Sequence, residues 1–483
     1  MKNFIKASIP ILVLLTFILL LGSCKKGFLD VTPKGRLIAI KTADYDLMLN
    51  SPNLINYGLA PLLTALGDEV IAREPFFGVR PLLDQRLFRY EDDIYNPEDD
   101  PTQLNNHIRV LYHYNKIINE VMKSEDGSEI QKKAILAEAL TGRAWIYLGL
   151  SNMFTKPFNP ATAATDPGFP LITEADITRT PYARGTVQAV YDLMISDLIT
   201  AIPDLPSVIT SRHRASKAVA QALLGKVYLA MGRYADALPV LEAAIGTITS
   251  NTGLPTRLYD YNIEMFAGGV MFSSTMATNG PLVPTSPNFI ESLYGRQETN
   301  LTNANINNYF VLSPQAGALY AATDHRRRFY NNVNLSYPAG SLRRLAPFIQ
   351  QTGINIPEVY LMRAECRARA NNLYGAGSAE TDLVFLRQRR LPLANAAIPT
   401  GLSQEQLIRY VIEERLRELA FTGIRWFDMR RLSLDPLYSN TTYIHKLYFA
   451  DGTVTDFPLR PERLTLRIPG RILRDNPGME DNP

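Results

Sequence analysis

The residues of this chain best suited to chemistry are its acids, its histidines and one early cysteine. Glu413 and Glu414 stand side by side in the most charged segment, which runs to Arg431. Paired carboxylates can serve glycoside hydrolysis only if they flank one bond. On a helix, neighbours diverge by about 100°, so this pair cannot. Glu413 and Arg417 are instead one helical turn apart, a stabilising ion-pair spacing. Gly423 suits the position just past the end of that helix. Trp426 and Phe427 then pack, which leaves Arg425, Asp428, Arg430 and Arg431 for ion pairs. The segment reads as a solvated structural helix, because catalytic carboxylates need a cleft and perturbed surroundings.

The five histidines, His107, His113, His213, His325 and His445, form no metal-binding pair. His107 and His113 are six apart, about 240° around a helix. The acids from Glu91 to Asp100 offer hard oxygens for calcium but lack the Asp-x-Asp-x-Asp-Gly spacing, so they read as a solvated charge run. No metal and no cofactor is expected.

The cysteine closes an address. Lys2 and Lys6 precede an apolar run, Ile9–Leu21. As a helix that run spans about 20 Å, short of the roughly 30 Å hydrocarbon core, so it reads as an export signal over residues 1–23. Leu21-Gly22-Ser23-Cys24 follows and resembles a lipobox, which makes Cys24 the lipidation site. The second of two cysteines, Cys366, then has no disulfide partner. Its helical surroundings suit a buried, inert thiol.

Composition bounds the rest. With 50 Lys plus Arg against 47 Asp plus Glu in 483 residues, the net charge is +3, which argues against a nucleic-acid binder acting through bulk charge. Hydrophobic residues at 46% and charged residues at 20% exclude wholesale disorder and a polytopic membrane protein.

Helical periodicity must position these groups. It predicts helices over Gln103–Met122, Ser128–Phe154, Thr186–Ile202, Ser216–Met231, Tyr234–Ile245, Pro357–Ala370, Ser378–Arg389 and Ser403–Thr422. Gly225, Tyr228, Gly232, Tyr234, Ala237, Leu241 and Ala244 carry the spacing of a tetratricopeptide-like hairpin. Ala364, Ala376 and Leu383 echo it weakly; Ala144 and Tyr147 give half of it before an insertion. Residues 25–100, 155–183, 246–350 and 432–483 are irregular. The fold class is mainly α: a tetratricopeptide-like hairpin scaffold at about 103–245 and 355–431, with long irregular loop insertions and minor β. The mature chain, 24–483, is expected to be a single domain whose loop-rich insertion at about 246–350 holds the binding surface.

The ordered set Cys24–Pro33, Arg143–Leu148, Tyr191–Leu198, Asp324–Arg327, Ile356–Ala364, Glu413–Arg431 and Arg467–Gly478 resembles the SusD/RagB family of outer-membrane lipoproteins. The resemblance implies a lid over a TonB-dependent, SusC-like transporter, which captures an oligosaccharide, or a peptide, without catalysis. Lys25 and Lys26 depart from the acidic residues associated with export to the outer face. By analogy the ligand contacts are Asp68, Phe77, Arg80, Tyr95, Tyr294 and Arg296. Both tryptophans, Trp145 and Trp426, fall in scaffold motifs, so Tyr or Phe must stack on any sugar. Two other readings stay open: an envelope scaffold acting through its repeat groove, and a lipid-anchored glycoside hydrolase.

Overall fold

The computed structural model describes residues 39–56, 63–176, 178, 181–284, 288–298, 309–332, 337–346 and 350–483. The export signal and Cys24 lie outside them. Among the described residues no helix is long and apolar enough to cross a membrane.

The main helices are α1 (Thr42–Met48), α2 (Leu82–Phe88), α3 (Thr102–Glu120), α4 (Glu129–Phe154), α5 (Val187–Ala201), α6 (Lys217–Ala230), α7 (Tyr234–Thr249), α8 (Ile356–Arg369), α9 (Ala379–Arg387), α10 (Gln404–Leu419) and α11 (Ile424–Leu432). Their starts follow from capping residues. Ser128, Thr186, Ser378 and Ser403 each accept a hydrogen bond from a backbone N–H two or three residues into the helix. Every residue of α4 from Ala137 to Phe154 is buried, so half of this helix is core on all sides.

The helices pack as antiparallel pairs: α3 with α4, α4 with α5, α6 with α7, and α8 with α9. The α6–α7 hairpin is the one whose spacing was specific in the sequence. A Cβ on Gly225 would lie 2.5 Å from Leu241 Cδ2, so only glycine lets these helices approach. The half-repeat at Ala144 and Tyr147 completes itself across the insertion, since α5 pairs with α4.

The irregular segments supply the strands. A six-stranded sheet has the order β4-β5-β3-β1-β7-β8, from Tyr330–Asn332, Leu342–Arg344, Phe310–Leu312, Val70–Arg73, Ile444–Tyr448 and Val454–Pro458. β1 lies antiparallel to β3 and parallel to β7. A separate antiparallel pair joins β2 (Ser292–Glu298) to β6 (Gln350–Asn355). One hydrophobic cluster runs from Tyr45 to Ile468 and includes Trp145 and Trp426. Tyr259, Tyr261, Met265 and Met271 form a smaller cluster under the insertion.

The Glu413–Arg431 segment differs from its sequence reading. Glu414 and Arg415 are buried, not solvated, and Arg417 pairs with Glu414 at 2.8 Å rather than with Glu413. The helix stops at Leu419. Phe421 then takes a left-handed φ of 63°, and Gly423, at 78°, opens α11 instead of closing α10. Arg430 pairs with no carboxylate among the described residues; it donates to the carbonyls of Leu464, Ser151 and Thr155. The acids after Glu91 are not simply solvated either. Asp92, Asp93, Glu98 and Asp100 pair with Arg460, Arg467, Arg474 and Arg471 of the C-terminal segment. Cys366 is buried, and burial pushes its thiol well above the usual range.

Candidate functional site

The six residues expected to touch ligand do not share one surface. Phe77 has no exposed area and packs against Phe88 and Phe310, with ring centroids 4.9 and 6.3 Å away. Tyr294 and Arg296 are each 2% exposed. The Arg296 guanidinium lies 3.6 Å over the Tyr294 ring, and both reach the Tyr114 hydroxyl of α3. In this arrangement all three are packing residues, because a side chain without accessible area offers none to a ligand. Arg80 is buried, pairs with Asp84, and sits 4.8 Å over the Tyr309 ring. Asp68 is half-buried and receives a hydrogen bond from Arg425 at 2.9 Å. Tyr95 is half-buried against the main cluster, and burial raises its hydroxyl well above the usual range.

The insertion does build a cleft, from other residues. It encloses about 120 Å³, room for roughly four waters or one end of a larger molecule. Tyr261, Met271, Val283 and Phe289 of the insertion form one wall. Phe329, Tyr330, Arg344 and Ala346 line the cleft too, with Asn355, Pro357, Glu418, Leu419, Ala420 and Thr422. Tyr330 and Arg344 are register partners on β4 and β5, so their side chains share one face of the sheet. The left-handed turn at Phe421 carries Ala420 and Thr422 into the wall.

Four aromatic rings thus meet a few polar groups. Asn355 Oδ1 is buried with no hydrogen-bond partner among the described residues. The Glu291 and Glu418 carboxylates are both held by Arg390 Nη2, at 2.7 Å each. They belong to a larger network. Arg326 joins Asp324, Glu414 and Glu418 at 2.7, 2.7 and 2.9 Å. Arg387 and Arg417 reach Glu414 at 2.9 and 2.8 Å. Burial alone would raise the Glu414 carboxyl, but Arg326, Arg417 and Arg387 hold it well below the usual range.

Arg344, like Arg430, is a buried guanidinium without a carboxylate partner among the described residues, and it has fewer carbonyl acceptors. It is 6% exposed, its Nε donates to the Ala346 carbonyl at 3.1 Å, and it lies 5.7 Å from the Phe421 ring centroid. No carboxylate among the described residues is at ion-pair distance, and burial pulls its pKa down to about 10. Beside the cleft the insertion exposes Ile263, Phe266, Val270, Phe272 and Leu282. None of these residues stood out in the sequence. The only local signal is the aromatic pair Phe329-Tyr330 after Asp324–Arg327.

A larger depression, about 480 Å³, lies between α1 and α4. It is lined by Lys41, Asp46, Asp126 and Glu138, whose charges are met by one another or by Arg214, and it has no aromatic ring. The insertion cleft therefore has the chemistry of a binding site: half-buried aromatic rings, the Asn355 side chain and, in Arg344, a guanidinium with no carboxylate partner among the described residues. Among the described residues, no group of three or more His, Cys, Asp or Glu is placed to hold a metal.

Comparison with known proteins follows the same outline. A family model described as "Starch-binding associating with outer membrane" matches residues 82–229, and the SusD family model matches residues 351–483. SusD-like protein P2 of Formosa agariphila is 24% identical over 364 residues, 66% of this chain and 68% of that protein. SusD-like protein P38 of the same organism is 24% identical over 381 residues, 65% of this chain and 69% of that protein. Among solved structures, a SusD superfamily protein of Bacteroides thetaiotaomicron superposes with a TM-score of 0.69 at 19% identity, covering 92% of this chain and 100% of that one. A laminarin-binding SusD-like protein gives 0.61 at 19% identity, covering 92% and 99%. At these identities the superpositions speak for the fold.

Proposed function

The chain belongs to the SusD/RagB family, and from that premise we propose that it is a nutrient-capture lipoprotein of the outer membrane. Lipid on Cys24 tethers it, a short oligosaccharide enters the insertion cleft, and the ligand passes to a TonB-dependent, SusC-like transporter. The observation that carries this reading is the cleft itself. Phe289, Phe329 and Tyr330, all half-buried, line it with rings that suit the C–H faces of a sugar, and Asn355 brings a polar side chain to the same lining. A glycan-binding structural neighbour, the laminarin-binding protein, is consistent with it. Of the six residues drawn from the family resemblance, Asp68 and Tyr95 keep some exposed area and remain candidates for outlying contacts.

Binding here proceeds without turnover. Glu414 is held ionised by three arginines and cannot donate a proton near neutral pH. Glu291 accepts from Arg390 and the Tyr259 N–H, and Glu418 accepts from Arg390 and Arg326. Neither carboxyl is free to serve as acid or base. Handover also requires release, so affinity is expected in the micromolar range.

Two measurements test the proposal. Isolation from native membranes in mild detergent should bring down a large barrel transporter, and mass spectrometry should find a lipid on Cys24. Calorimetry against an oligosaccharide panel should find a binder that is not consumed. An unlipidated, unpartnered monomer with no affinity for any glycan in the panel would refute it.

A further inference from the structure

We propose that the insertion cleft is selective for acidic oligosaccharides, with Arg344 receiving a sugar-borne oxyanion, a uronate carboxylate or a sulfate ester. This rests on the capture reading above and adds the class of ligand.

The argument is one of charge balance. The network under the cleft contains four acids, Glu291, Asp324, Glu414 and Glu418, and four arginines, Arg326, Arg387, Arg390 and Arg417. It is neutral without Arg344. The two carboxylates that line the cleft are therefore already compensated, and the Arg344 guanidinium in the same lining is the surplus charge. Glu69, a buried acid, makes no ion pair with Arg344 among the described residues. Arg344 spends one N–H on the Ala346 carbonyl. No protein acceptor among the described residues takes its terminal nitrogens, which form the planar fork that fits an oxyanion with two parallel hydrogen bonds.

A buried cation with no carboxylate partner among the described residues is costly, so its retention in the lining of a cleft points to a partner that arrives with the ligand. Asn355 narrows the choice. Its half-buried side chain lines the same cleft, and a sugar acid sets its hydroxyls against Asn355 and its anion against Arg344. The half-buried rings take the faces of the sugar ring.

The test uses the full chain and three trimers: galacturonate, galactose bearing one sulfate per residue, and galactose. At least one charged trimer should bind ten-fold or more tighter than the neutral one, and the preference should shrink as salt rises. The two charged arms separate carboxylate from sulfate. Arg344→Met should bring the charged trimer down to the affinity of the neutral one. Arg344→Lys should keep part of the preference and guards against a folding defect in the first variant. Equal affinity for charged and neutral trimers, or a preference that survives Arg344→Met, overturns the assignment while leaving glycan capture in place. An acidic tripeptide that outcompetes every trimer overturns it in favour of a peptide ligand. No binding of any trimer or of the wider glycan panel removes both readings.

Discussion

Around α10 and α11, eight acids and eight bases share two neutral networks, whereas Arg344, in the lining of the cleft, faces a single carbonyl and a ring. The first network is the one beneath the cleft. The second links Glu358, Glu365, Asp428 and Asp435 to Lys226, Arg369, Arg415 and Arg431, at separations from 2.5 to 3.7 Å. Both pack against α10 and α11, although Glu291, Asp324 and Arg326 come from the insertion, and each charge in them offsets its desolvation against a fixed partner. Arg344 has no carboxylate partner among the described residues. The contrast teaches where to look for function in a scaffold dense with arginine: not at the most charged motif, but at the charge that the motif leaves over.

Removing a hub should show the contrast at full strength. Glu414→Ala strands Arg387 and Arg417 in the interior and takes one of three carboxylates from Arg326, and breaking a buried set of this kind costs about 3–5 kcal/mol. Urea unfolding should register that loss; a change under about 1 kcal/mol would mean the network is incidental. A second probe concerns Glu69, a buried acid whose two oxygens have no hydrogen-bond partner among the described residues. Burial, with a contribution from the Asp68 charge, pushes its carboxyl up to about 7 from 4.5. Between those values the folded chain keeps a proton that the unfolded chain has lost. Stability is therefore fully present below about pH 4.5 and falls as pH rises toward 7, by about 3 kcal/mol in all. Glu69→Gln should flatten that slope, and an unaltered slope in unfolding measured at pH 5 and 7.5 would refute the assignment. The smallest effect belongs to Arg344→Met. With no carboxylate to strand, the unliganded variant should melt within about 1 kcal/mol of the parent or above it. A loss as large as that at Glu414 would erase the distinction between Arg344 and the networks.

Much of the scaffold was legible because helices advertise themselves. Ser128 and Ser403 stand where a cap must stand, and the interval from Gly225 to Ala244 encodes one hairpin almost completely. Charge partners were harder to read. Local spacing suggested Glu413 with Arg417, but burial turned Glu414 inward, toward Arg417 on its own helix and toward Arg326 and Arg387 from two other places in the chain. Gly423 was placed in the right conformation and the wrong role, since Phe421 had already turned the backbone. The cleft left almost no trace. Tyr330 and Arg344 meet only through strand pairing across a dozen residues, and whether an arginine is paired depends on every element that surrounds it. Tyr294 and Arg296 looked like loop residues open to a ligand, yet β6 and α3 cover them.

One strand sets the order of events during synthesis. Val70–Arg73 leaves the ribosome early, but its two neighbours in the sheet begin at Phe310 and Ile444. Until the last tenth of the chain has emerged, one edge of that strand stays bare, and a bare apolar edge invites pairing with another copy. The molecule is thus built to close late and all at once, and whatever carries the nascent chain to its destination must shield those four residues on the way.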